Sequence, residues 1–256
     1  MKITKFIFQI LTVLLFSSFS LYQEPSFIDF TNKIQSYDLG IVFVTDSIHV
    51  GDERIKVNKQ EPLGYIGDNY QRFYIHFTSV KKNPENPLQY FLSGKTRVKN
   101  NICDFKGTIT IVSAKLRKGN SQLANRQGFA IGKYKFYENS QLPATGFLEG
   151  KVTTNFYLDK RQKMVYDDLE SFSDNFANNQ FQGTWTSYKT RVTKKCNWGD
   201  YRIPASNDLD MGVAEFMVHQ KYRKNGWENY LNAWNGEANL PATKIARQEE
   251  NAKWWK

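Results

Sequence analysis

QRFYIHFTSV, residues 71–80, alternates apolar and polar side chains along its length. Phe73, Ile75 and Phe77 are separated by single polar or aromatic residues, so all three fall on one side of an extended chain. A period of two is typical of a β-strand with one buried face. This stretch predicts that the protein is built from strands.

Similar runs continue to about residue 194, separated by turn-rich pieces such as NPENP at 83–87. The connections are short and the runs have no helical period, which favours antiparallel neighbours in a meander. Earlier, 39–46 and 48–57 are expected to add one or two strands. The later strands are predicted at 89–99, 102–117, 128–138, 146–158, 163–170 and 180–193.

Two features predict that this sheet curves strongly. Most strands contain an internal glycine, which is costly in a flat sheet, and the apolar phase of 102–117 changes after Ile111, which indicates a bulge. We therefore predict a mainly β fold, an antiparallel meander that closes into a barrel of about eight or nine strands or a strongly curved sheet. A two-layer β-sandwich is the alternative.

The pattern changes after residue 215. Trp227, Tyr230, Leu231 and Trp234 have the spacing of one helix face, so a short C-terminal helix should cap the sheet. The sequence predicts a single β domain with this helix over 21–235, followed by a mobile C-terminal tail over 236–256.

The first 20 residues resemble a signal peptide. Lys2 and Lys5 precede a largely apolar run at 6–16, and the small residues Ser18 and Ser20 follow. The run is too short for a stable membrane anchor, and no cysteine lies near the cleavage point to accept a lipid. The sequence predicts a secreted or periplasmic protein.

The chain is basic, with a formal net charge of +10, and its lysines are spread rather than clustered. Export together with this spacing argues against nucleic acid as a partner. No phosphate-binding glycine motif, G-x-S-x-G nucleophile or paired-histidine metal motif is found in the sequence. No cofactor is expected, and the oligomeric state is left open.

The cysteines and three nearby aspartates are assigned structural roles. In an exported chain, Cys103 and Cys196 are expected to form a disulfide, with Trp198 packed beside the sulfurs. Asp200, Asp208 and Asp210 are expected to cap turns. The alternative is an irregular calcium loop that uses these three aspartates.

Three functions remain open, and the protein is more simply explained without catalysis. The apolar face of a barrel would line a lumen that holds a small amphipathic ligand, or aromatic side chains would stack on a glycan. The alternatives are a carbohydrate-active enzyme with paired carboxylates among Glu149, Asp167, Asp168 and Glu170, and a purely structural envelope protein. The candidate ligand-contacting residues are Trp185, Tyr74, Tyr157 and Trp198.

Four segments carry a family resemblance: NNICDFKGTITI (100–111), FQGTWTSYKT (181–190), KKCNWGDYRIP (194–204) and KNGWENY (224–230). With them, most of 65–231 resembles a group of uncharacterised exported proteins of Bacteroidota, and this resemblance implies no activity. Gly183-Thr184-Trp185 is also similar to the G-x-W of lipocalin-like barrels, where the motif lies near the first strand rather than in the last long one.

Overall fold

The computed structural model describes residues 26–51, 53–119 and 126–256. The predicted signal peptide lies outside these ranges. Within them, no helix has the length and apolar character that crossing a bilayer requires.

The mainly β, antiparallel architecture with a C-terminal helix is confirmed. The strands are β1 (Phe27–Asp29), β2 (Ser47–Val50), β3 (Ile55–Asn58), β4 (Leu63–Ile66), β5 (Gln71–Arg72), β6 (Tyr74–Lys82), β7 (Gln89–Val98), β8 (Asn101–Arg117), β9 (Gln127–Glu138), β10 (Gly146–Leu158), β11 (Met164–Tyr166), β12 (Asn178–Ser187) and β13 (Thr193–Asp200).

One sheet curls into a half-barrel in the order β5-β4-β13-β12-β10-β9-β8-β7-β6, with β1 on β8 and β11 on β10. Its two edges, β5 and β6, are separated in the chain only by Phe73. The Phe73 backbone N–H donates to the carbonyl of Gly64 at 2.9 Å, next to the β4–β5 pairing. The stretch 71–82 therefore forms both edges, and the curved sheet excludes the sandwich alternative.

The predicted bulge in β8 is confirmed. The β8–β9 register shifts between Ile111 and Ser113. The residue between them, Val112, is exposed, whereas Ile111 and Ala114 on either side are buried. Because of the extra residue, the apolar side chains of the later half of β8 also point to the concave face. The concave face therefore stays apolar along all of β8.

Aromatic side chains fill the middle of the concave face of the half-barrel. Trp198 is fully buried and stacks on Phe181 with ring centroids 4.7 Å apart. Phe105 stacks on Phe136 at 5.0 Å, and Tyr134 contacts both groups. Because the burial of each such side chain contributes roughly 1.5–3 kcal/mol, this layer is a main source of stability.

Two short helices, α1 (Thr31–Ile34) and α2 (Gly40–Phe43), cover one end of the half-barrel. The predicted strand at 39–46 is wrong, because α2 occupies it. Leu39, Val42 and Phe43 have helical spacing and are all buried, and a short apolar run can adopt either structure. The prediction for 48–57 is confirmed, since β2 and β3 form a separate hairpin there.

Two C-terminal helices, α3 (Glu228–Trp234) and α4 (Pro241–Glu250), pack against each other. The helix predicted from the Trp227 to Trp234 spacing is α3, and it belongs to a second apolar cluster on the outer side of β4. This position explains why the four residues of β4 are buried on both faces.

The segment 236–256 differs from the mobile tail that the sequence predicted. It contains α4, and Glu250 pairs with Arg72 at 3.2 Å where both side chains are at least nine-tenths buried. Trp255 stacks on His76 at 3.8 Å, and Trp254 contacts Tyr74. The sequence did not indicate this packing because the contacts are with β5 and β6, far away along the chain.

Candidate functional site

A cavity of about 340 Å³ lies at the end of the half-barrel opposite α1 and α2. The turns β4–β5, β7–β8, β9–β10 and β12–β13 meet at this end, because neighbouring strands are antiparallel. We call it the mouth cavity. It is lined by Ile66, Asn69, Gln71, Phe73, Thr96, Val98, Lys99, Asn101, Cys103, Glu138, Ala144, Trp185 and Lys194.

Glu138, the last residue of β9, is only 6% exposed and lines the mouth cavity. Its Oε1 accepts a hydrogen bond from Thr96 Oγ1 at 2.5 Å. Its Oε2 accepts two, from the Gly146 backbone N–H at 2.8 Å and from Trp185 Nε1 at 3.0 Å. Donors from three strands therefore fix the carboxylate in one orientation.

These three hydrogen bonds are all from neutral groups. Every ion pair found among the described residues involves another carboxylate, so the Glu138 charge has no cation within 4.0 Å there. Lys99 and Lys194 also line the cavity, and both are exposed. The mouth cavity thus has a buried anion within and two solvated cations at its rim.

The sequence reading did not identify Glu138, although a signal was present. Tyr134 and Phe136 are inward-facing residues of β9, and Glu138 follows in the same alternation. An acidic residue in the buried phase of a strand is unusual and marks either a paired structural charge or a site. The hydrogen-bond partners came from β7, β10 and β12, which sequence spacing could not bring together.

The predicted disulfide between Cys103 and Cys196 is wrong, since both are free thiols. Cys103 lies on β8 and Cys196 on β13, with β9, β10 and β12 between them in the sheet. The two cysteines therefore lie on strands that are not neighbours in the sheet, and they are not bonded to each other.

Burial, with a smaller contribution from the nearby Glu138 charge, raises the pKa of Cys103 to about 11. The same two causes raise the pKa of Cys196 well above its usual value. Both side chains therefore stay protonated at neutral pH. Because the thiolate is the nucleophile, neither cysteine is suited to covalent catalysis.

Of the four predicted ligand-contacting residues, the structure places only Trp185 in the mouth cavity. Trp198 is fully buried in the core and does not pack beside a disulfide. Tyr74 is covered by the guanidinium of Arg97, 3.9 Å from its ring centroid, and by Trp254. Tyr157 lies apart from the cavity, with its hydroxyl 3.5 Å from an Arg54 nitrogen.

Asp200 is a buried charge rather than the turn cap that the sequence predicted. Its Oδ1 pairs with Lys59 Nζ at 2.8 Å, and both side chains are at least nine-tenths buried. Its Oδ2 accepts hydrogen bonds from the Tyr166 hydroxyl at 3.0 Å and from Asn179 Nδ2 at 2.8 Å. This network ties the segment before β4 to the end of β13.

Asp210 and Asp208 have separate partners. Asp210 accepts hydrogen bonds from the Gly212 and Met217 backbone N–H groups and pairs with Arg202 at 2.6 Å, in agreement with a structural role. Asp208 is exposed and pairs with Lys221. In the part of the chain that the structure describes, no three His, Cys, Asp or Glu side chains form a metal-binding group.

Glu149 lies apart from the other acids considered for carbohydrate hydrolysis. Glu149 pairs with Lys135 at 2.9 Å, and both are substantially exposed. Asp168 is buried and pairs with Arg54 at 2.7 Å and with His49 Nδ1 at 3.1 Å. The Asp167 backbone N–H donates to the Asn155 carbonyl on β10. Asn155 is six residues from Glu149 along β10, so Asp167 and Glu149 are roughly 20 Å apart at the residue spacing of a strand.

A larger groove of about 970 Å³ runs beside β6, between that strand, residues 58–62 and the C-terminal residues. His76 pairs there with Glu61 at 2.9 Å and Lys59 with the buried Asp200, while Asp46, Lys81, Lys253 and Lys256 are exposed to solvent. The groove therefore lacks the isolated buried charge that distinguishes the mouth cavity.

Comparison of the chain with family models, curated proteins and solved structures gave no match. The resemblances to exported Bacteroidota proteins and to lipocalin-like barrels therefore stay predictions. What the protein does has to be argued from the site itself.

Proposed function

We propose that this protein is a non-catalytic binding protein that holds a small amphipathic molecule in its mouth cavity. The observation that carries the proposal is the Glu138 carboxylate, buried at a cavity with a mixed apolar and polar lining and held in place by Thr96, Gly146 and Trp185. A cavity with apolar walls and a few oriented polar groups is the usual form of a small-molecule site.

The size of the cavity supports a small ligand rather than a lipid or an oligosaccharide. A volume of about 340 Å³ is at the lower end of the range for ligand pockets. A compact aromatic or branched aliphatic molecule with one polar group fits these limits.

The alternatives have less support. Carbohydrate hydrolysis needs two carboxylates within about 10 Å of each other across a substrate, whereas Glu149 and Asp167 lie about twice as far apart. Glycan stacking needs an accessible aromatic face, and Trp198 and Tyr74 are covered. A purely structural protein would have no reason to keep an unpaired buried charge beside a cavity.

Calorimetric titration of the intact protein with 2-phenylethylamine and 2-phenylethanol tests this proposal. We expect at least one to bind with one-to-one stoichiometry. Val98→Phe, which adds a ring to the cavity wall, should abolish that binding while circular dichroism shows an unchanged fold. Val112→Phe on the exposed bulge of β8 is the matched control. Absence of binding by both probes, or binding unaffected by Val98→Phe, would refute the proposal.

We also propose that the protein acts after export. The basic start, apolar run and Ser18-x-Ser20 support cleavage near residue 20. N-terminal sequencing of protein from the periplasm or medium should begin between about residues 19 and 24. An exported protein that still begins at Met1 would contradict this.

A further inference from the structure

Resting on the proposed function, we propose that the ligand of the mouth cavity carries a protonated amine and that this ammonium group binds Glu138. The ligand class is then a small monoamine with a compact apolar body. Three properties of the site support this assignment: the remaining acceptor capacity of Glu138, its missing counter-charge, and the arrangement of the walls and rim.

The first property is acceptor capacity. A carboxylate has about four lone-pair positions for hydrogen bonds, two on each oxygen. Oε2 uses both of its positions, for Gly146 and Trp185, whereas among the described residues Oε1 accepts a hydrogen bond only from Thr96. One acceptor position on Oε1 is therefore left for a donor from the cavity, and an ammonium group has up to three N–H bonds to offer.

The second property is the missing counter-charge. A buried carboxylate is costly unless it is paired, and hydrogen bonds from neutral groups offset only part of the cost. Other buried acids in the described chain do have cations: Asp200 pairs with Lys59, and Glu250 pairs with Arg72. Glu138 and Asp167 have no cation among the described residues; Asp167 takes hydrogen bonds from Gln127 and the Leu169 backbone N–H, and of the two only Glu138 lines the mouth cavity. A cationic group on the ligand would pair with the Glu138 carboxylate as Lys59 pairs with Asp200.

The third property is the distribution of the other lining groups. Ile66, Phe73 and Val98 provide the apolar part of the wall, which also contains neutral polar side chains, and the Trp185 indole lies beside the carboxylate. Lys99 and Lys194 at the rim disfavour a second positive charge at the outer end of the ligand. The site therefore favours a monoamine over a diamine of similar length.

Glu138→Gln is a suitable test because it preserves the hydrogen bonds while removing the charge. The glutamine oxygen can replace Oε2 and accept from Gly146 and Trp185. Its amide nitrogen then takes the place of Oε1 and donates to the Thr96 hydroxyl, which can act as acceptor as well as donor. The variant loses only the anion and the free acceptor position.

The experiment compares 2-phenylethylamine, 2-phenylethanol and 3-phenylpropanoate by calorimetry at neutral pH, on the intact protein and on Glu138→Gln. We expect the amine to bind the native protein at least about tenfold more tightly than the alcohol, since a hydrogen bond to a charged group is worth that much. The carboxylate ligand should be the weakest. In Glu138→Gln the preference for the amine over the alcohol should disappear.

The outcomes separate the two proposals. If the alcohol binds the native protein as tightly as the amine, the amine assignment is overturned and the cavity proposal stands. If none of the three ligands binds, both are overturned. The ranking of the three ligands on the native protein needs no variant, so the test remains decisive even if Glu138→Gln fails to fold.

Discussion

Replacing Lys59 with methionine removes the cation from a buried ion pair while keeping most of the side-chain volume. Asp200 would keep its hydrogen bonds from Tyr166 and Asn179 but would lose its only charged partner among the described residues. The Asp200 side chain is 1% exposed and that of Lys59 is 7% exposed, so water cannot replace the lost ammonium without a local opening of the structure.

Loss of one partner from a buried ion pair costs about 3–5 kcal/mol in the free energy of unfolding. For a domain of this size, each kcal/mol lowers the Tm by about 2–4 °C, so the expected decrease is about 6–20 °C. Lys59→Met with Asp200→Asn removes both charges. The double variant should therefore be more stable than Lys59→Met alone, because the uncompensated charge is gone.

Urea unfolding followed by fluorescence, together with thermal scans, measures both quantities. Lys135→Met is the matched control, because Lys135 pairs with Glu149 where both side chains are more than 40% exposed. An exposed pair contributes at most about 1 kcal/mol. If Lys59→Met costs no more than Lys135→Met, or if the double variant is less stable than the single one, the structural role assigned to Asp200 is incorrect.

Three further changes test other parts of the structure. Burial raises the pKa of Asp167 to about 6, so the folded protein binds more protons than the unfolded chain between about pH 4 and 6. The unfolding free energy should lose up to about 3 kcal/mol as pH rises across that window, and a pH series of denaturation curves should show no such loss in Asp167→Asn. Glu250→Gln leaves Arg72 buried without its anion, so amide hydrogen exchange of α4 should accelerate, and unchanged exchange would contradict the packed C-terminal segment. Gly183→Ala places a Cβ 2.1 Å from a backbone oxygen of β10, whereas in Gly132→Ala the nearest atom is a side-chain methyl at 3.0 Å; thermal scans should show a clearly lower Tm for Gly183→Ala, and equal Tm values would argue against the close approach of β10 and β12.

Much of the fold could be predicted because it depends on local periodicity. The alternation in 71–80 and the phase change after Ile111 depend only on neighbouring residues, and both were confirmed. The apolar run at 39–46 was misread because four or five apolar residues fit a strand and a helical turn equally well. Its helical state depends on burial at one end of the half-barrel, which is a property of the assembled fold.

The candidate site was harder to predict because its groups come from distant parts of the chain. Trp185 was identified as an aromatic residue that could contact a ligand, but its partner Glu138 lies 47 residues earlier. The cysteines were misassigned because an exported chain with two cysteines usually pairs them, whereas this sheet places them on strands β8 and β13. The one signal in the sequence was Glu138, an acidic residue at an inward-facing position of β9. It identifies the site only once the pairing of the strands is known.

The most direct test of a ligand site at Glu138 is the NMR signal of the Trp185 indole N–H, which donates to its carboxylate. The signal can be assigned by its loss in Trp185→Phe. We predict that titration with 2-phenylethylamine shifts this resonance and that the shift saturates with the Kd obtained by calorimetry. A Trp185 resonance that stays unmoved at concentrations where calorimetry shows saturation, with shifts confined to Trp254 and Trp255 beside the groove, would contradict the account.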